Sequence, residues 1–170
     1  MKPKLEPEPW LRGTLSDVPP VTRAVLHALE LAREDVERWC EDLNDDELNA
    51  RPLGLPSVAQ QVLHIARSVD RLLTYAEGRQ LTEEHMAALK SEGDAAGREA
   101  VFSEFSSGID EAMRRVRAVD PARFEQARAV GRKQFPTTVG GLLVHVADHT
   151  QRHVGQLVTT VKVVRAGEKE

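Results

Sequence analysis

The sequence is short of several features that define common functional classes. It has one cysteine, Cys40, so no disulfide can form within the chain, and a reducing interior suits this composition. Aromatic residues make up only 4% of the 170 residues, so we expect an aliphatic core. No stretch approaches the roughly 18 consecutive apolar residues of a membrane span, and residues 1–9 lack the apolar run of a signal peptide. These absences predict a soluble, cytoplasmic protein.

The charges of the sequence argue against a large polyanionic partner. Lys and Arg number 23 against 27 Asp and Glu, a formal net charge of −4, and the two signs are interleaved along the chain. Binding to nucleic acid requires a basic face, and anionic membrane surfaces attract basic segments. We therefore expect neither nucleic acid nor membrane among the partners.

Residues 1–17 form a proline-rich N-terminal arm, which is predicted to be anchored to the body by Trp10 and Leu11. Apolar residues at helical spacing follow this arm. Four long amphipathic helices are predicted, at about residues 20–44, 58–78, 98–119 and 138–164. We identify no pair of strands. The pattern predicts an all-α four-helix bundle over residues 18–165, followed by a polar tail at 166–170.

The connection between the second and third predicted helices is long. Helix–helix connections in simple bundles take about 2–8 residues, whereas this one covers residues 79–96 and includes a short predicted helix at Glu83–Lys90. A connection of this length can cross one end of a bundle, and the two helices it joins then run parallel. Composition alone leaves that arrangement open.

Three histidines at four-residue spacing mark the fourth predicted helix. His145, His149 and His153 lie about 6 Å apart along the helix axis and about 40° apart around it, so they share one face. Two imidazole ligands of one zinc ion bring their nitrogens within about 3.5 Å of each other, which an i, i+4 pair can do. Either His145 with His149 or His149 with His153 meets this condition, and His149 belongs to both pairs.

A third metal ligand must come from another helix, and His64 is the candidate because it lies in mid-helix between Leu63 and Ile65. A pH-sensitive switch is a competing use of such a histidine cluster. The isolated His27 and His85 are interpreted as structural or exposed, and Cys40 as a core residue.

An internal similarity favours a different ligand set. Ser57–Ala66 aligns with Thr138–Ala147 in helix cap, apolar phase, histidine and alanine, so that His64 corresponds to His145. Either a duplication or two similar amphipathic helices would produce this pattern. Symmetry alone would favour a site made of His64, His145 and His149.

The sequence resembles the DinB-like family of small metal-binding bundles. The resemblance rests on Asn49–Pro52, on Ser57–Ile65 and on His145–Leu157, and it covers most of residues 19–165. The segment around the three histidines is the most specific of these pieces. The arm at 1–17 lies outside the resemblance.

The resemblance implies a particular ligand set. In the family pattern one metal-binding histidine lies on the second long helix, and two more, four residues apart, precede a Gly-Gln pair. By position these are His64, His149 and His153, which leaves His145 outside the ligand set. The candidates for orienting the metal ligands or for transferring protons are His145, Asp148 and Gln156.

Fold, metal and partners also follow from the resemblance. It implies an up-down-down-up bundle with a long crossover between the second and third helices, and a homodimer. It implies a divalent metal, zinc or nickel first, with iron, copper or manganese as other candidates. Some relatives resemble thiol-dependent enzymes that use bacillithiol or mycothiol.

Three neutral imidazoles leave a divalent ion its full charge and an open coordination position, as in catalytic rather than structural sites. A water or thiol on such an ion is acidified. The first hypothesis is a metalloenzyme that activates a low-molecular-weight thiol or water for transfer, isomerisation or hydrolysis of a small substrate. The alternative is a non-catalytic, metal-stapled dimeric binding or stress-response module.

Overall fold

Helices dominate the part of the chain that this computed structural model describes, residues 6–167. The helices are α1 (Pro20–Cys40), α2 (Asp45–Asn49), α3 (Val58–Ala76), α4 (Glu83–Ser91), α5 (Arg98–Arg117) and α6 (Val139–Gly167). The strands are β1 (Ala127–Val130) and β2 (Phe135–Thr138). The all-α prediction is confirmed in the broad sense that the fold is mostly helical. Residues 1–5 of the predicted arm and 168–170 of the predicted tail lie outside the described residues.

The four long helices share one core. α3 packs against α5 and α6, and α1 packs against the same two helices. Large aliphatic side chains fill the space between them, among them the fully buried Leu26, Leu29, Ile65, Ile109, Leu143 and Leu157. Cys40 is fully buried in this core, as predicted, and burial raises the pKa of its thiol to about 12. Within residues 6–167, no helix combines the length and apolarity needed to cross a membrane.

The first long helix ends earlier than predicted, at Cys40. Asn44 begins a new helix, because its side chain accepts a hydrogen bond from the Glu47 backbone N–H at 3.0 Å and the Glu47 carboxylate accepts one from the Asn44 N–H at 2.7 Å. Arg98 donates to the carbonyls of Cys40 and Leu43, at 2.9 and 2.8 Å, which satisfies the end of α1. Leu43 keeps the helical spacing and is buried although it lies beyond the helix.

A small antiparallel hairpin, β1–β2, corrects the expectation that the chain has no strand pair. Each strand has only four residues, and all eight side chains are exposed or half-buried, so the alternation of buried and exposed residues that indicates a strand is missing. The turn places Gly131 and Gln134 in the left-handed region, at φ of +71° and +52°. Arg128 of β1 donates to the Ala76 carbonyl at 2.7 Å and so fastens the hairpin to the end of α3.

The N-terminal arm is held by charge rather than by the predicted aromatic and aliphatic anchors. Arg12 donates to both carboxylate oxygens of Glu34 on α1, at 2.6 and 2.8 Å, and Pro9 is buried. Trp10 and Leu11 are 62% and 57% exposed, so the prediction that they anchor the arm is wrong. A bidentate ion pair fixes an arm without any apolar signal in the sequence.

The predicted short helix between the second and third long helices is present as α4. Thr82 caps it, and its backbone N–H donates to His85 Nδ1 at 3.0 Å. The other ring nitrogen of His85 lies 3.1 Å from the Asp70 carboxylate on α3. His27 is buried on α1, with its Nε2 3.1 Å from the Thr14 hydroxyl. These contacts fit the structural roles expected for both histidines.

Candidate metal centre

α3 and α6 bring three of the predicted site histidines together. His64, His149 and His153 each offer one ring nitrogen, and these nitrogens all lie within 4.8 Å of one another. Nε2 of His64 is 3.2 Å from Nε2 of His149, and the His153 ring centroid lies 4.4 Å from the centroids of both other rings. The set implied by the resemblance therefore forms one cluster in the structure.

The direction in which α3 and α6 pack explains this meeting. Gln61 on α3 donates to the Thr160 hydroxyl on α6 at 2.9 Å, whereas His64, further along α3, meets His149 and His153. Moving forward along α3 therefore means moving backward along α6, so the two helices are antiparallel. One histidine from α3 then meets a pair spaced by four residues on α6.

His145 lies beside the cluster rather than in it. Its ring centroid is 5.2 Å from that of His149, but its side chain is 43% exposed and its Nδ1 lies 3.4 Å from the Asp148 carboxylate. The other Asp148 oxygen accepts from Arg152 at 3.2 Å. The structure therefore gathers His153, and not His145, with His64 and His149.

Glu92 is a residue of this site that the sequence interpretation missed. It directly follows α4 and is only 5% exposed. One carboxylate oxygen lies 2.7 Å from His64 Nδ1, and the other accepts from Arg71 at 2.8 Å. The only signal in the sequence is that Arg71 stands seven residues after His64, on the same face of α3. The acid itself stands in a polar connection without any local pattern.

The sequence matches the protein-family model of the DinB superfamily over residues 28–157, which is well over half of the chain. The chain belongs to the DinB superfamily. The matched region contains His64, His149 and His153, and also Glu92, so the resemblance stated above is confirmed at the level of the family. No curated protein matches the sequence.

The protonation of His64 in this DinB-superfamily protein follows from its partners. Burial raises the pKa of Glu92, but hydrogen bonds from His64 and Arg71 outweigh burial and hold the pKa below its usual range. An ionised carboxylate only accepts hydrogen bonds, so His64 Nδ1 carries the proton. In the neutral ring Nε2 is then the nitrogen with the lone pair, and it lies 3.2 Å from His149 Nε2.

The two α6 histidines are held neutral at pH 7. Burial, followed by the neighbouring His153 and His64, lowers the pKa of His149 to about 4. Burial and His64 also lower the pKa of His153, partly offset by a hydrogen bond with the Gln156 side chain. Neutral imidazole is the form that binds a metal ion. Three convergent imidazole nitrogens, two of them on rings held neutral, thus fit a divalent cation.

Lowering the pH from about 6.5 towards 4 is expected to destabilise the metal-free protein through His149. The pKa of His149 is about 4 in the folded state against an ordinary value of 6.5, so in this window the unfolded state binds more protons. The free energy of unfolding therefore falls as the pH falls. Urea denaturation at about pH 7 and pH 5 measures the difference, which should be smaller in His149→Leu than in the wild type.

The matched control for this prediction is His145→Leu, which removes a partly exposed histidine of the same helix. His145 lowers the pKa of His149 less than burial, His153 and His64 do, so this variant should retain most of the wild-type pH dependence. The same pH dependence in His149→Leu as in the wild type would contradict the role given to His149.

Proposed function

We propose that this protein is a metalloenzyme in which His64, His149 and His153 hold one divalent ion beside a small-molecule site. The observation that carries the proposal is the convergence of three imidazoles from two helices, with ring nitrogens within 4.8 Å of one another. A divalent ion bound there supplies a Lewis acid with an open coordination position. Zinc and nickel are the first candidates, followed by iron, copper and manganese, because most of these ions accept imidazole ligands.

The reaction we propose is transfer, isomerisation or hydrolysis of a small substrate, with a low-molecular-weight thiol or water as the attacking group. The His64 side chain is 24% exposed, which leaves one side of the cluster open to such molecules. His145 lies beside His149 and is exposed to solvent, so we assign it proton transfer. Asp148 orients His145, and Gln156 orients His153.

We infer the predicted up-down-down-up bundle as the frame of this site. The antiparallel packing of α3 on α6, and the contacts of both α1 and α3 with α5 and α6, support it. A homodimer is part of the same proposal, on the family resemblance alone. Size-exclusion chromatography with light scattering should give a mass near twice the monomer mass of 18.9 kDa, and a monomer would overturn that part.

The central experiment uses untagged protein, because a polyhistidine tag would itself bind the metal. After incubation with zinc or nickel and removal of free ions, elemental analysis should find one ion per chain. Calorimetric titration with bacillithiol or mycothiol should then show binding to the metal-loaded protein only. Absence of bound metal would overturn the metal centre, and absence of both thiol binding and metal-dependent turnover would overturn the enzyme.

A non-catalytic role is the second candidate, because the three ligands come from α3 and α6 and an ion between them would staple the two helices. Under either role, chelation should lower the stability of the protein. Ligand binding to the folded state alone adds about 2.7 kcal/mol when the free ligand is 100 times its Kd. Loss of stability on chelation without any thiol binding favours the staple.

A further inference from the structure

The segment that joins α3 to α5, residues 77–97, is attached to the body mainly by polar contacts; we call it the α3–α5 link. Its helix, α4, has no buried residue. The contacts that dock it include Arg67 to the Ala88 carbonyl at 2.8 Å, Arg51 to the Gly93 carbonyl at 2.6 Å and Asn49 to the Ala96 backbone at 3.0 Å. Leu81 and Ala96 add apolar contacts at the two ends of the link, but α4 itself is held by individual hydrogen bonds.

One of these attachments ends on a candidate metal ligand. Glu92 is buried at the end of α4 and places one carboxylate oxygen on His64 Nδ1 and the other on Arg71. Both partners belong to α3, and the Arg71 side chain is only 11% exposed. The carboxylate is therefore fixed from two sides, and its position depends on where the link lies.

We propose that Glu92 is a positioning residue, which holds His64 in the tautomer that turns the Nε2 lone pair towards His149 and thereby couples metal affinity to docking of the α3–α5 link. The coupling to metal rests on the metal centre proposed above. The tautomer of His64 is a property of the metal-free protein and is independent of that proposal.

The physical reason lies in the two nitrogens of imidazole. A neutral ring protonated on Nε2 has no lone pair there, so that tautomer of His64 cannot bind an ion next to His149. A carboxylate on Nδ1 removes this alternative and makes the ligating nitrogen more basic. Removal of such a partner typically weakens metal binding about 10–100-fold. Because coupling is reciprocal, bound metal should strengthen the docking of the link by the same factor.

The variant Glu92→Gln removes the charge with little change in shape. Its matched control is Glu83→Gln, the same chemical change at an exposed position in the first turn of α4. Competition with a chelating dye measures the zinc affinity of the metal-free proteins. We expect a loss of about 10–100-fold in Glu92→Gln and a change within about twofold in Glu83→Gln.

A background variant separates positioning from general damage. In His64→Ala the remaining pair His149 and His153 binds zinc more weakly, so a competing dye of lower affinity is used. In that background the further change Glu92→Gln should leave zinc affinity within about twofold, because Glu92 acts through His64. Unchanged affinity in the single variant would overturn the proposal. So would an equal loss in the two backgrounds.

Two measurements test the proposal by other routes. Nitrogen-15 NMR of the metal-free protein should show His64 protonated on Nδ1 in the wild type and in Glu83→Gln, and a shift towards the Nε2–H form in Glu92→Gln. Hydrogen exchange at residues 83–96 should slow when zinc is added to the wild type but not to Glu92→Gln. An Nε2-protonated His64 in the wild type overturns the proposal whether or not zinc binds. A wild type that binds no zinc overturns only the metal centre.

Discussion

His149→Ala is expected to abolish stoichiometric zinc binding, the largest single effect on the candidate site. His149 lies in the middle of the cluster, with its Nε2 3.2 Å from that of His64 and its ring centroid 4.4 Å from that of His153. Loss of a residue that only hydrogen-bonds to a metal ligand already weakens metal binding up to about 100-fold. Loss of the central nitrogen donor should exceed that and leave no bound zinc after gel filtration.

The controls for His149→Ala use the other histidines of α6. His153→Ala should also lose the metal, whereas His145→Ala should retain one ion per chain, because His145 is exposed and pairs with Asp148. Elemental analysis measures binding, and far-ultraviolet circular dichroism checks that each variant is folded. Binding that survives in His153→Ala and fails in His145→Ala would show that the ligand set is wrong.

The histidine spacing alone limited the candidate ligands without selecting among them. Both histidine pairs on α6 have the same four-residue spacing, so the distance between two ligands on this helix does not distinguish His145 from His153 as the partner of His149. The selection depends on how α6 is rotated and shifted against α3, which long-range contacts such as Gln61 to Thr160 record. No local pattern carries that register, and the family resemblance supplied the choice.

Sequence patterns did not predict the role of Glu92 or the β-hairpin, for a related reason. Glu92 stands in a polar connection, and its role depends on where that connection docks against α3. The strands have four residues each, too few for an apolar alternation, and Pro136 in β2 removes a backbone donor. Tertiary contacts give these segments their structure, so single-sequence patterns miss them.

The long helices were more predictable because their signals are local. The Ser57 side chain accepts from the Gln60 N–H at 3.2 Å, and the Thr138 side chain accepts from the Gly141 N–H at 3.0 Å, so the helix caps that the internal similarity aligns are both present. The end of α1 escaped prediction because Leu43 continues the apolar spacing after the chain has left the helix. At Leu43 the apolar spacing indicates a buried side chain, but not a helical backbone.

Leu157→Ala is expected to lower the free energy of unfolding by about 2–5 kcal/mol, the usual range for a large aliphatic side chain removed from a core. Leu157 is fully buried on α6, one turn beyond His153. Domains of this kind have a total stability of about 5–15 kcal/mol, so the loss is a large share. Urea denaturation measures it, with Val144→Ala as the control because Val144 is on the same helix and 55% exposed.

Zinc distinguishes loss of packing from loss of the site in Leu157→Ala. The cavity removes apolar contacts, but His153 and His149 lie one and two turns earlier on a helix that remains packed through Val146 and Val154. Saturating zinc should therefore raise the stability of wild type and variant by the same increment, about 2.7 kcal/mol at 100 times the Kd. A clearly smaller increment in the variant would show that Leu157 also holds the α6 histidines in place for the ion.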